Sequence, residues 1–303
     1  MRAFIFPGQG SQYSGMAKDF SKCKTWFEFL GRAKAVLKFD IEKIMDGDEE
    51  TLKLTENAQP AIFLASYVAY EQLREFGVDF DFVAGHSLGE YTALAVAGVY
   101  DFETGIYLVR KRGEFISQVV KPGEGSMAAV LGANLSVVEE EVKKFEQLYI
   151  ANYNSVDQVV VSGKTESVKQ FVEEMRKKRI KAIELKVSGP FHTPLLNEAK
   201  ELMAKEIEHI KFKPPKVPIV MNSTARETTD PETIKHFILE QISGPVLWYQ
   251  SVNRMLELGV REFVEVGPKN VLSSMLVKAG HTARHFVEFF NEIRSEELEK
   301  SFR

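Results

Sequence analysis

Apolar runs and their breaks divide the chain into short strands and amphipathic helices. Residues 2–6 (RAFIF) read as a buried strand, stopped by Pro7-Gly8 and followed by the polar loop Gln9-Gly10-Ser11-Gln12. From Gln59-Pro60 to Phe76 the spacing predicts a helix with Pro60 in its first turn and Gly77 at its end. DFDFVAG (79–85) predicts a strand that runs through His86-Ser87-Leu88-Gly89 into an apolar helix over 88–97. A further helix over about 101–120 ends before Pro122-Gly123.

The pattern then changes. SMAAVLG, residues 136–146, YIANYN, QVVVSG, residues 165–178 and IKAIELKV read strand, helix, strand, strand, helix, strand. Ser136 with Glu139 forms a capping-box pattern that places the first of these helix starts. The order βαββαβ suits a ferredoxin-like unit. Beyond Gly189-Pro190 the chain returns to alternating helices (194–209, 231–242, 247–258) and strands (VPIVMN, EFVEVG), and a charged helix carries His281 and His285 near the end. The expectation is an α/β fold: a hydrolase-like domain with a mostly parallel sheet, discontinuous over 1–123 and 190–303, with a small ferredoxin-like subdomain inserted at 124–189.

Composition narrows the function classes. The chain has 303 residues, 39 basic and 43 acidic, for a net charge of −4, and 44% of it is apolar. That is ample material for a core and excludes disorder. The mildly acidic balance argues against a nucleic-acid partner, which needs a basic field. Cys23 is the only cysteine, so no internal disulfide and no cysteine-based metal site are expected. The apolar stretch before Pro7 is too short for a signal peptide, and no run approaches about 18 apolar residues. A cytoplasmic protein without membrane contact is expected.

Gly85-His86-Ser87-Leu88-Gly89 matches G-x-S-x-G between an apolar strand and a helix, the context of a nucleophile elbow. Both glycines meet a steric need, because the serine sits on a strained turn whose flanks crowd neighbouring backbone. Such a turn exposes the serine hydroxyl at the carboxyl end of the sheet, and the helix offers a free N–H at Leu88 to an oxyanion. A serine nucleophile needs a base. His86 points away by alternation, and His209, His236, His281 and His285 fall on helices or their ends, whereas His192 lies in Ser188-Gly189-Pro190-Phe191-His192-Thr193-Pro194, at the expected domain junction. A hinge histidine that only packs is the alternative. Arg112 has Leu108, Val109, Phe115 and Ile116 as its helical neighbours, so it faces inward, toward either an internal acid or a substrate carboxylate. Gln9 is either a second oxyanion donor or a turn residue. Asn152 and Asn154 either bond an acyl chain or cap a strand end, and Arg176–Lys181 is either a solvated helix end or a docking patch for an acidic partner.

Taken together, FPGQGSQ (6–12), QPA (59–61), GHSLGEYTALAVAG (85–98), RG (112–113), N-x-N (152–154) with QVVVSG (158–163), SGPFHTPLL (188–196) and EVGP (265–268) give the chain a resemblance, over nearly its whole length, to the malonyl-CoA:acyl carrier protein transacylases. The resemblance implies that Ser87 is the nucleophile and His192 its base, and that Arg112 clamps the malonyl carboxylate. Gln9 and the Leu88 N–H would form the oxyanion hole, and Asn154 and Phe191 would line the substrate site, Phe191 as a malonyl-selecting ring. No acid completes a triad; the resemblance implies a backbone carbonyl at Leu247, just after Gly244-Pro245-Val246, as the group that orients the imidazole. Malonyl-CoA and acyl carrier protein would be the partners of a monomer that needs no metal or cofactor. Lys269-Asn270 departs from the family, which commonly has glycine and then lysine after EVGP. A polyketide-synthase acyltransferase and a serine esterase or thioesterase are the competing readings.

Overall fold

The first strand forms from the short apolar run after Arg2, and it becomes the middle of the larger sheet. The strands are β1 (Arg2–Phe6), β2 (Phe82–Gly85), β3 (Gly125–Leu131), β4 (Leu148–Ser155), β5 (Gln158–Lys164), β6 (Lys181–Glu184), β7 (Ile219–Val220), β8 (Glu227–Thr228), β9 (Glu262–Glu265) and β10 (Ala283–His285). A computed structural model describes residues 1–21, 23–121, 123–187 and 189–301, with 294–301 as backbone only; Pro122 and Ser188, at the two expected hinges, lie outside the described residues. The larger sheet has the order β10-β9-β1-β2-β7-β8, parallel throughout except for β8. Alternation along β1 sends Phe4 and Phe6 into one apolar layer and Ala3 and Ile5 into another. Burial on both faces is why the strand reads as a continuous apolar run rather than an alternating one.

The second sheet has the order β4-β5-β3-β6 and is antiparallel, and with the helices Leu135–Val142 and Thr165–Lys177 it follows the βαββαβ order. One face, with Ala128 and Val130, packs under those helices, while Met127 and Ala129 on the other join the main core. Val246 fastens this sheet to the rest: its N–H donates to the Ala151 carbonyl (2.8 Å) and its carbonyl accepts from the Tyr153 N–H (2.9 Å).

Several local expectations change. The helix expected from Gln59 begins at Thr55, so Pro60 lies inside it. A proline leaves the carbonyl four residues earlier without its helical donor, and here the Arg110 guanidinium supplies one to Glu56 O at 2.7 Å. Asn134, not Ser136, caps the helix Leu135–Val142, its side chain accepting from the Ser136 N–H. His285 ends β10 rather than lying in a helix, and His281 precedes that strand. The helices Met16–Phe20, Lys24–Leu37, Ile41–Met45 and Glu49–Lys53 occupy a stretch to which the sequence pattern assigns no element. Lys269, just after EVGP, sits at φ 59, and its Nζ donates to the Gly10 carbonyl at 3.2 Å.

The helices Thr55–Glu75 and Phe102–Val119 meet at Gly113, where a Cβ would stand 2.5 Å from Glu56 Cα. This contact lets Arg112 reach the partner helix. Gly113→Ala should therefore lower stability by about 1–3 kcal/mol, the usual cost of overpacking, and should slow any chemistry that uses Arg112. A urea midpoint equal to wild type would show that the two helices part freely.

Candidate active site

β2 ends at Gly85, and the chain turns through His86 and Ser87 into the helix Leu88–Val96. Ser87 takes φ 53 and ψ −111, a strained pair for a residue with a Cβ. Three hydrogen bonds hold it there: Ser87 N–H donates to Asn222 Oδ1 (2.8 Å), Asn222 Nδ2 donates to Gly85 O (2.6 Å), and Gln241 Nε2 donates to Ser87 O (2.7 Å). A Cβ on Gly85 would lie 1.9 Å from the carbonyl carbon of Gly89, so the turn closes only over bare backbone.

Ser87 Oγ stands 2.7 Å from His192 Nε2. The other ring nitrogen, Nδ1, is 2.8 Å from the main-chain carbonyl of Gln241. A carbonyl only accepts, so Nδ1 carries the proton and Nε2 is left to accept from the serine. This corrects the expected carbonyl of Leu247, whose oxygen instead accepts from Ser251 N–H (2.9 Å) and Ser251 Oγ (2.8 Å). The reason is the end of the helix Pro231–Ser243. Its last carbonyls have no intrahelical donor, which leaves Gln241 O free for the imidazole, while pairing of Val246 with β4 carries Leu247 away toward Asn222.

Arg112 is 2% exposed, and the three oxygens it bonds are all neutral: Gln59 Oε1 (2.9 Å), Gln241 Oε1 (2.9 Å) and Ser87 Oγ (3.2 Å). The guanidinium also lies over the Tyr91 ring, 5.5 Å from its centroid. Gln241 in turn donates through Nε2 to Glu90 Oε2 (2.9 Å), and Glu90 Oε1 accepts from the Asn222 N–H (2.6 Å). Burial raises the Glu90 carboxyl above its usual range, against the pull of Asn222, Gln241 and Arg112.

The remaining sequence candidates fall around this network. Gln9 Oε1 accepts from Thr55 Oγ1 (2.8 Å), and Thr55 Oγ1 accepts from Gln59 Nε2 (2.9 Å), so the loop after β1 is tied to the support of Arg112. Leu88 opens its helix, where amides have no intrahelical acceptor. Phe191 is buried beside His192. Asn154 Oδ1 bonds His86 Nε2 at 2.8 Å, and that ring packs edge-on against Trp248. The basic run 176–181 is partly neutralised, with Lys177 paired to Glu174 (3.2 Å) and Lys178 to Glu141. A cavity of about 660 Å³ beside Pro190 and Leu195 is lined by none of the serine, histidine or arginine. Among the described residues no cluster of His, Cys, Asp or Glu could hold a metal ion, and no helix is long and apolar enough to cross a membrane.

Sequence reasoning missed Gln59, Glu90, Asn222 and Gln241 as members of the network. The signal for two of them was present. Gln241 follows Ile234 and Ile238 at helical spacing, and Gln59 precedes Ile62 and Phe63, the same inward-facing polar position that singled out Arg112. Asn222 lies outside any helix, and nothing in the chain marks it.

Burial, with Arg112 adding to it, holds the His192 imidazolium far below its usual range, at about 3. The sign follows directly: a depressed pKa keeps the ring neutral as pH falls. Nitrogen-15 NMR should find His192 uncharged, with Nδ1 protonated, from pH 8 to about pH 5, whereas an ordinary histidine charges near 6.5. Between about 3 and 6.5 the unfolded chain binds the extra proton, so this residue lowers stability as pH falls through that window. A ring that titrates near 6.5 would show that the site is wetter than its geometry.

A parallel α/β sheet with a serine on a strand-to-helix elbow, a neutral histidine in contact with it and a buried cation beside it defines an acyl-transfer site. The chain belongs to the acyl transferase domain family, whose model matches residues 3–296. It is 38% identical to the malonyl CoA-acyl carrier protein transacylase of Bacillus subtilis over 91% of this chain and 89% of that one. It is 37% identical to the polyketide biosynthesis malonyl CoA-acyl carrier protein transacylase PksC of the same organism, over 91% and 96% of the two chains. The crystal structure of MCAT from Streptococcus pneumoniae superposes with a TM-score of 0.90 at 36% identity, covering 96% of this chain and all of that one.

Proposed function

We propose that this acyltransferase moves a malonyl group from malonyl-CoA to the phosphopantetheine thiol of acyl carrier protein, supplying extender units for fatty acid synthesis in the cytoplasm. The observation that carries this reading is Arg112, a buried guanidinium whose bonded oxygens are all neutral. A buried charge without a counter-charge is costly, and a dicarboxylic acyl group brings the missing carboxylate in bidentate form.

The first half-reaction starts at Ser87. Its Oγ–H proton passes to His192 Nε2 as Oγ bonds the thioester carbonyl carbon, and Gln241 O steadies the imidazolium through Nδ1–H. The Leu88 N–H and Gln9 are the proposed donors to the tetrahedral oxyanion. Collapse breaks the C–S bond, and the imidazolium returns its proton to the departing thiolate of coenzyme A. In the second half the carrier thiol gives its proton to His192 and its sulfur bonds the ester carbon. The C–O bond then breaks, and Ser87 recovers the proton. Phe191 and Asn154 are assigned to the acyl side of the cleft. No step draws on a metal or a redox cofactor.

Intact mass spectrometry after brief mixing with malonyl-CoA should show one malonyl adduct on wild type and none on Ser87→Ala, discharged by acyl carrier protein faster than by water. An adduct lost to water at the same rate would make the protein a hydrolase, and a preference for a polyketide carrier would reassign its pathway. Arg112→Met should lower kcat/KM for malonyl-CoA by about 30- to 5,000-fold, the equivalent of about 2–5 kcal/mol for a desolvated charge pair. Acetyl-CoA should not share that loss, and equal losses for both would remove Arg112 from the acyl pocket.

A further inference from the structure

Glu90 is the one side-chain carboxyl group in contact with the network around Ser87 among the described residues, and no reacting group touches it. It is fully buried in the first turn of the elbow helix. Its two oxygens receive two N–H donors from distant parts of the chain: Oε1 takes the main-chain N–H of Asn222, and Oε2 takes the Gln241 amide. Each donor residue holds a different part of the site. Asn222 holds the elbow, through Ser87 N–H and Gly85 O. Gln241 holds the other partners, with Oε1 on Arg112 and its main-chain oxygen on His192.

We infer that Glu90 is a positioning residue that determines acyl selectivity: by accepting from the Gln241 NH2 it fixes that amide with its oxygen toward Arg112, and so presents the guanidinium to the acyl carboxylate. The inference rests on the malonyl-transfer reading given above. The amide of Gln241 can face Arg112 by its oxygen or by its NH2 group. Only the first is attractive to a cation, because two donors face each other in the second. Ser87 O and Glu90 Oε2 both demand the NH2 group on the far side. The arrangement also explains why a glutamine stands between the guanidinium and the Glu90 carboxyl. A carboxylate in direct contact with Arg112 would neutralise the cation that the substrate needs, whereas an amide relays the orientation and leaves the charge available.

Glu90→Gln tests this with almost no change in shape. An amide at position 90 has one acceptor oxygen for two N–H donors, so either Asn222 or Gln241 is left facing an NH2 group. The experiment measures acyl-enzyme formation from malonyl-CoA and from acetyl-CoA by rapid-quench intact mass spectrometry. The malonyl-to-acetyl ratio of kcat/KM should fall by about ten- to a hundredfold, the scale of one hydrogen bond to a charged group. Glu90→Asp retains a carboxyl group but withdraws it by one methylene, and it should give a smaller fall in the same ratio; it serves as the probe where the glutamine variant does not fold. In a Gln241→Met background, where the relay is absent, substitution at position 90 should leave the ratio unchanged.

A wild-type ratio in both position-90 variants, or equal losses for the two substrates, would overturn the inference and leave Glu90 as support for the elbow alone. A persisting effect in the Gln241→Met background would do the same. If wild type itself forms no malonyl adduct, it is the malonyl-transfer reading that fails, and the inference falls with it.

Discussion

The buried charge of Arg112 is the constraint on which the rest of the site depends. A guanidinium that is 2% exposed has lost its water and must be satisfied from the protein. The structure meets its two terminal nitrogens with oxygens that carry no charge, from Gln59 on one helix, Gln241 on another and Ser87 on the elbow. The fold thereby occupies both terminal nitrogens, leaves Nε without a partner, and leaves the electrostatic demand of the group open. Close packing makes this possible, since Gly113 brings the helix of Arg112 against the helix of Gln59. The same cation works on its neighbour: it adds to burial in keeping His192 neutral, the state in which a base can accept a proton.

The geometry at Ser87 shows how a serine–histidine pair is oriented without a third acid. The carbonyls at the end of a helix lack intrahelical donors and form the negative end of its dipole. Gln241 presents such a carbonyl to the imidazole, and the tautomer follows because a carbonyl cannot donate. The one residue therefore acts twice, its main chain on His192 and its side chain on Arg112 and Ser87. Gln241 belongs to the helix Pro231–Ser243 and Asn222 to the loop after β7, so the site is assembled from both ends of the chain around the elbow.

Much of the fold was readable in the chain because its signals are local. An apolar run ending at Pro7-Gly8 is a strand whatever surrounds it, and the βαββαβ alternation appears as strands and helices in the expected order. Element ends were less readable, because the deciding partner is often remote. Pro60 sits inside a helix because Arg110, from another helix, bonds the carbonyl that the proline frees. Lys269 holds a backbone conformation that glycine takes more freely, and its side chain bonds Gly10 near the opposite end of the chain.

The sequence by itself determined the elbow, its steric glycines and the inward position of Arg112, all consequences of short-range spacing. It also determined that His192 lies where the chain passes from one sheet back to the other. Only the tertiary structure decided that Gln241, and not Leu247, orients the histidine, and that Arg112 keeps its charge without a carboxylate in contact. The physical reason is the same in both cases. Which carbonyl or amide is free to bond depends on where a helix ends in space and on what distant residue has already claimed its neighbours, and residue order carries no direct record of that.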